Sequence, residues 1–225
     1  MEQNTNITIR RLTNPADPEV KQIVGLLIAA FGGEDGLHNF LVGGDTSLVP
    51  TKFEANVRAT LAGGEVYVAS LGTEANDIVG AITCHGPGQK PNSTDEARAA
   101  NEVFLSKLPD AHREWWSEHL APRVEQLAND SLGPGAKMAQ YYVGLLGVRP
   151  EHHRKGIAKA LMRVIEEKAK PHGLSVVLET STDLDLLIYK RMGYEVKGQV
   201  TLECFLGQAP IYMLTKTPGS QLFTR

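Results

Sequence analysis

Between residues 138 and 170 the sequence changes period, and the change limits what the chain can fold into. Residues 138–148 form a long apolar run of strand type. From about residue 156 to 170, Ile157, Ala160, Leu161, Val164 and Ile165 recur at helical spacing until Pro171 and Gly173 stop them. The short segment between is basic and leads to Gly156. A strand that passes through such a turn into an amphipathic helix leaves several backbone N–H groups unpaired at the helix start. Those donors and the helix dipole make an anion site, most often for phosphate. Arg149, Arg154, Lys155, Lys159 and Arg163 add positive charge around it.

The rest of the chain supplies the elements of one α/β domain over residues 1–225. Residues 7–9 alternate like a strand. Asp17 is placed to cap a helix whose apolar face is Val20, Ile23, Val24, Leu27 and Phe31, ended by Gly32 and Gly33. Residues 34–49 read as loop, and a second short helix covers about 52–61. Strands at 65–71 and 78–84 form a hairpin through a polar turn at 72–77. Residues 95–129 are mostly helical with an interruption at Pro109, so about 86–135 is a helical insertion. Gly144 and Gly147 inside the long strand mark a bulge or a close backbone approach. A buried strand follows at 174–180, then a helix at 184–192 with Gly193 at its end. Strands at 194–204 and 211–214 close the order.

Composition narrows the function classes. At 225 residues, 42% apolar and 22% charged, the chain is long enough to bury a core without disulfides or metals. A net charge of −3 gives no basic face for nucleic acid. Cys84 and Cys204 have neither metal nor redox spacing. Residues 1–9 are polar, with no secretory signal, and no apolar stretch reaches the roughly 20 residues of a membrane helix. The expectation is a cytoplasmic protein, with the nucleus possible, and no membrane partner.

The phosphate ligand can be narrowed by pattern. The chain has no Gly-x-x-x-x-Gly-Lys-[Ser/Thr], and no Gly-x-Gly-x-x-Gly follows the strand. What it has is Leu146-Gly147-Val148 at the strand end and His153-Arg154-Lys155-Gly156-Ile157-Ala158 in the turn. One helix and one strand later comes Tyr189-Lys190-Arg191-Met192-Gly193-Tyr194. These residues resemble the GCN5-related N-acetyltransferases (GNAT), whose pattern is Leu-x-Val, then [Gln/Arg]-x-x-Gly-x-[Gly/Ala], then Tyr-x-x-x-Gly-[Phe/Tyr]. His153 departs from it, standing where the family usually has Gln or Arg. The resemblance rests on motifs over residues 138–195 and on element order over 7–84 and 196–216. It does not cover the insertion.

The resemblance implies a mixed, mostly antiparallel central sheet with splayed central strands, flanked by helices. It implies acetyl-CoA, or another acyl-CoA, as co-substrate and no metal. Leu146, Gly147, Val148, His153, Arg154, Lys155, Gly156, Ile157, Ala158 and Lys159 are the cofactor-binding candidates. The turn would hold the pyrophosphate, the strand would pair with the pantetheine arm, and an N–H near Leu146 would face the thioester oxygen. Tyr189 is the candidate acid for the departing thiolate. Glu179, at the end of the cleft strand, is the candidate base, with His85 as another possibility.

The acceptor would be a primary amine on a small molecule, handled by a monomer or homodimer. A non-catalytic acyl-CoA-binding sensor or interaction module is the alternative. His112 and His119, seven residues apart, lack the tight spacing of a metal pair. Trp115 and Trp116 read as anchors of the insertion. Asp183 and Asp185 suit a helix N-terminus without any substrate.

Overall fold

The computed structural model describes residues 6–32, 36–72 and 77–219. Seven strands of these residues form one sheet: β1 (Ile7–Arg11), β2 (Glu65–Leu71), β3 (Ile78–His85), β4 (Tyr141–Val148), β5 (Val176–Thr180), β6 (Glu195–Cys204) and β7 (Gly207–Lys216). Their order is β1-β2-β3-β4-β5-β7-β6. All neighbours are antiparallel except β4 and β5. That parallel pair is short: Tyr141, Tyr142 and Val143 face Val176, Val177 and Leu178, and pairing stops there. Beyond Val143 the two strands part, which is the splayed centre that the motifs imply.

Among the described residues, eight α-helices cover the two faces: α1 (Asp17–Phe31), α2 (Gly36–Leu41), α3 (Val49–Gly63), α4 (Asp95–Leu105), α5 (Asp110–Trp115), α6 (Ala121–Leu132), α7 (Ile157–Ala169) and α8 (Asp183–Arg191). α7 buries Ile157, Leu161, Ile165 and Ala169, which lie four residues apart on one stripe. Full burial of side chains such as Ile157, Leu161 and Ile165 contributes about 2 kcal/mol each. Together with Leu186 of α8, this stripe meets Ile82, Cys84, Val143, Val148, Val176 and Leu178 on one side of the sheet. On the other side, α1 and α3 cover β2, β3 and β4 through Leu27, Phe53, Val68, Ala81 and Leu145. Leu127 and Ala128 of α6 cover Val177, Leu202, Ile211 and Met213 of β5, β6 and β7.

The insertion is therefore part of the second layer. α4 places Phe104 in the cluster formed with α1 and α3. One turn of π-helix, Trp116–Leu120, joins α5 to α6. The two tryptophans anchor the insertion at separate points. Trp115 Nε1 donates to the Glu203 carbonyl and Trp116 Nε1 to the Leu41 carbonyl, both at 2.9 Å.

Some sequence expectations are corrected. Residues 34–49 are not all loop, because α2 and a 3-10 turn at Thr46–Leu48 lie within them. Phe40 and Val42 are buried there, and the His38 ring packs against Phe31 and Phe53. The cap position of α1 is Ala16; Asp17 lies in the first turn, and its carboxylate takes a 2.9 Å bond from Arg58. The central strand starts at Tyr141 rather than 138, because a 3-10 turn at Ala136–Ala139 precedes it. The last strand is longer than 211–214, because β7 pairs with β5 on one edge and β6 on the other. Residues 33–35, which hold the second glycine expected to end the first helix and the start of the expected loop, residues 73–76 of the hairpin turn, the first five residues and residues 220–225 lie outside the described residues.

Candidate active site

The parting of β4 from β5 begins at a bulge. Thr83 faces Leu145, but Cys84 faces Val143, so Gly144 is the extra residue on β4. The bulge switches the faces of the strand. Tyr141 and Val143 point to the α7 side before it, and Leu146 and Val148 point there after it. Gly147 serves the other purpose expected of these glycines. A Cβ on it would stand 2.9 Å from Leu27 Cδ2, so its absence lets α1 lie close on the strand.

Hydrogen bonding fixes which backbone groups face the gap. The Leu145 N–H donates to Thr83 Oγ1 at 2.9 Å, and the Arg149 N–H to the Val79 carbonyl at 2.9 Å. Residues 145 and 149 therefore point toward β3. By the alternation of an antiparallel ladder, the N–H and C=O groups of Leu146 and Val148 point the other way, into the gap. The gap is thus lined by a strand edge that, among the described residues, pairs with no other strand beyond Val143. The His153 ring confirms the direction, since its Nε2–H donates to the Val148 carbonyl at 3.0 Å. His153 ties the turn to the strand end through this bond.

The turn continues from that edge. Pro150–His152 forms a 3-10 turn, Arg154 takes φ +61°, and Gly156 takes φ +82° just before α7. No side chain caps the helix. Among the described residues no acceptor meets the backbone N–H groups of Arg154, Lys155, Gly156, Ile157, Ala158 or Lys159. The left-handed conformations around Gly156 and the helix start group these donors as an anion-binding nest. Arg154, Lys155 and Lys159 are exposed around it. Farther along the same helix a cavity of about 220 Å³ is lined by Lys159, Met162, Arg163, Glu166, Glu167, Met192 and Lys216.

Gly80 of β3 sets how closely the helix lies on the sheet. A Cβ there would stand 2.7 Å from Ile157 Cγ2 and 3.0 Å from Leu161 Cδ1. The start of α7 therefore rests almost on backbone.

Tyr189 lies on α8, which starts from a Thr182 cap that accepts from the Asp185 N–H at 3.1 Å. Its ring packs on the cluster that also receives Leu146, on the same side of the sheet as α7, and meets the Tyr194 ring edge-on at 5.8 Å. Among the described residues its hydroxyl makes no hydrogen bond. Burial of that hydroxyl, and then the Asp185 carboxylate, raise its pKa above the ordinary tyrosine value, so it stays protonated at neutral pH.

Glu179 lies on the opposite side. Tyr142, one residue from Val143, and His85, its partner on β3, share that side. Burial of the Tyr142 hydroxyl, and then the nearby Glu179 carboxylate, push its pKa well above the ordinary tyrosine value. Lys137 forms an ion pair with Glu179 and sits 3.9 Å above the centre of the Tyr142 ring. His85 is buried with Nδ1 unpartnered and lies against the Tyr142 ring at 6.4 Å. Burial and then the Lys137 charge lower its pKa. Sequence reasoning singled out Glu179 and His85 but missed Thr83, Lys137 and Tyr142. The only signal for them was a lysine and two adjacent tyrosines ahead of an apolar strand.

Among the described residues, no group of three or more His, Cys, Asp or Glu side chains could hold a metal ion. His112 is buried against the Trp115 and Phe205 rings. No helix of the described residues is long and apolar enough to cross a membrane.

Residues 126–196 match the acetyltransferase (GNAT) domain family, a stretch that contains β4, the turn, α7, β5 and α8. The chain has the GNAT acetyltransferase fold. Similar solved structures carry it from end to end. The histone acetyltransferase HPA2 and related acetyltransferase from Corynebacterium glutamicum is 16% identical, with a TM-score of 0.59 over 94% of this chain and 96% of that one. A mosquito arylalkylamine N-acetyltransferase like 5b is 16% identical, with a TM-score of 0.57 over 94% and 99%. The Drosophila melanogaster polyamine N-acetyltransferase is 15% identical, with a TM-score of 0.56 over 94% and 100%. At these identities the likeness is one of fold. His153 stands where the GNAT pattern usually has Gln or Arg, and its side chain bonds the Val148 carbonyl at the strand end.

Proposed function

We propose that this chain is an acyl-CoA-dependent N-acyltransferase that moves acetyl from acetyl-CoA to a primary amine by direct attack. The observation that carries the reading is the continuity of the open β4 edge with a turn of unpartnered N–H groups. A strand edge facing a gap suits the amide-bearing pantetheine arm, and a basic nest at its end suits a pyrophosphate. Val148 and Leu146 would pair with the arm, and the N–H groups of Arg154 through Lys159 would hold the phosphates. The Leu146 N–H is the donor for the oxyanion that forms when the thioester carbonyl is attacked. In the reaction the neutral amine nitrogen bonds to the carbonyl carbon, the C–S bond breaks, and its electron pair stays on sulfur. Tyr189 supplies a proton to that thiolate. The proton lost by the amine passes to Glu179 or His85 on the opposite face, directly or through water.

The test begins with acetyl-CoA binding by thermal shift. At about 100 times its dissociation constant a ligand stabilises by roughly 2.7 kcal/mol. Turnover is then measured against a panel of primary amines, led by the polyamines and arylalkylamines named for enzymes that share the fold. Replacing Tyr189 by Phe should lower kcat by about 100-fold or more while acetyl-CoA binding is kept. A wild-type protein that no CoA ester stabilises, or a Y189F variant with unchanged kcat, overturns the reading.

A further inference from the structure

Lys137 places its ammonium group between a largely buried carboxylate and an aromatic ring. It comes from the 3-10 turn Ala136–Ala139, behind Gly133 and Gly135, and reaches onto the sheet face opposite α7. There it meets the Glu179 carboxylate, whose side chain is only 13% exposed, and the face of the Tyr142 ring. Tyr142 also borders the bulge, since a Cβ on Gly144 would stand 3.9 Å from its Cε1 and 3.1 Å from Thr83 Oγ1. The cation therefore lies one aromatic ring away from the place where β4 opens. A carboxylate and an aromatic face are the two groups that best replace water around an ammonium ion. A lysine side chain is, chemically, an unbranched alkylamine.

We propose that Glu179 and Tyr142 form the seat for the acceptor's ammonium group, and that Lys137 fills this seat until the acceptor displaces it. The proposal rests on the N-acyltransferase reading and names the acceptor class: a primary amine on an unbranched alkyl chain. The incoming amine arrives as an ammonium ion, replaces the Lys137 contact, and gives a proton to Glu179 before it attacks. Lys137 is an internal competitor, so the affinity seen for the acceptor is reduced by the fraction of time that the lysine is seated.

The full chain is titrated with n-butylamine and 1,4-diaminobutane without acetyl-CoA, by calorimetry or ligand-observed NMR. Lys137→Met removes the competing charge and should bind both amines at least about tenfold more tightly than wild type, which corresponds to a lysine seated nine-tenths of the time. Lys137→Arg keeps a cation in place and should bind like wild type. The double variant Lys137→Met with Glu179→Gln should lose the gain. Lys137→Gln serves the same purpose as Lys137→Met if the latter folds poorly. No gain on removing the lysine, or a gain that survives Glu179→Gln, overturns the seat.

Turnover separates the two readings. If amines are acetylated with a KM indifferent to both substitutions, the enzyme stands and the seat falls. If butylammonium binding follows the pattern above but no acetyl-CoA is bound or used, the seat stands and the N-acyltransferase reading falls.

Discussion

Gly80→Ala tests how the donor helix is held. The added Cβ would stand 2.7 Å from Ile157 Cγ2 and 3.0 Å from Leu161 Cδ1. Ile157 is β-branched in the first turn of α7, so its Cγ2 moves only if the backbone moves. Leu161 is fully buried in an interior packed at close to crystal density. Overpacking of this kind costs about 1–3 kcal/mol. Restricting the unfolded chain by replacing glycine returns about 0.4–1 kcal/mol. The net loss is then about 1–2 kcal/mol, which lowers Tm by roughly 2–8 °C in a chain of this size.

The relief of the clash is a lift of the α7 start, and the unpaired N–H groups of Ile157, Ala158 and Lys159 move with it. Stabilisation by acetyl-CoA should therefore shrink as well. The assay is thermal and urea unfolding with and without acetyl-CoA. Gly25→Ala in α1 is the control, because nothing lies within 4 Å of a Cβ there. That change should stabilise by about 0.5–1 kcal/mol. A Gly80→Ala protein that melts at or above the wild-type temperature refutes the packing argument.

Further outcomes can be stated together. Gly156→Ala meets no atom within 4 Å but must hold φ +82°, so it should cost about 1–2 kcal/mol by conformation alone, read by urea unfolding, and should weaken acetyl-CoA binding. Glu65 is buried, which opposes its charge, but hydrogen bonds from Lys168 and Tyr67 and the nearby Lys168 and Arg11 charges outweigh this and hold its pKa low. A lowered folded value stabilises above the unfolded pKa of about 4.3 and is lost as pH falls through the folded one. Wild type should thus lose more stability than Glu65→Gln between pH 7 and pH 3.5, and equal losses in urea melts at the two pH values would contradict this. Trp116→Phe removes the 2.9 Å bond to the Leu41 carbonyl and should cost about 1–3 kcal/mol, with the loss visible in the same melts.

The strand, turn and helix proposed to hold the donor were largely legible in the sequence, because the features that build them are local. Val148, the basic turn and Ile157 are contiguous, and the period change between them specifies strand, turn and helix without reference to the rest of the chain. Gly144 and Gly147 were legible as departures from strand composition. Only the ladder to β3 shows that the first is a bulge and the second a close approach. The face proposed to take the acceptor was much less legible. Lys137, Tyr142, Glu179 and His85 come from four elements and are brought together by sheet order, which no local pattern encodes. α2 was missed because its six residues are too few to establish a helical period, and burial of Phe40 and Val42 decides it instead.

An exposed strand edge usually invites another chain to pair with it. This protein keeps such an edge at Leu146 and Val148, yet places it in the middle of a seven-stranded sheet rather than at the rim. The two faces beside it are roofed, by α7 and α8 on one side and by α1, α3 and the insertion on the other. A second copy of the chain would need to thread a strand between two layers of helices to reach it, whereas a slender, flexible molecule can enter end-on. The gap therefore filters visitors by their width. In hydrogen exchange, the amide of the half-buried Leu146, which has no strand partner, should exchange faster in the free protein than amides paired in the central ladder, and slow once the gap is filled.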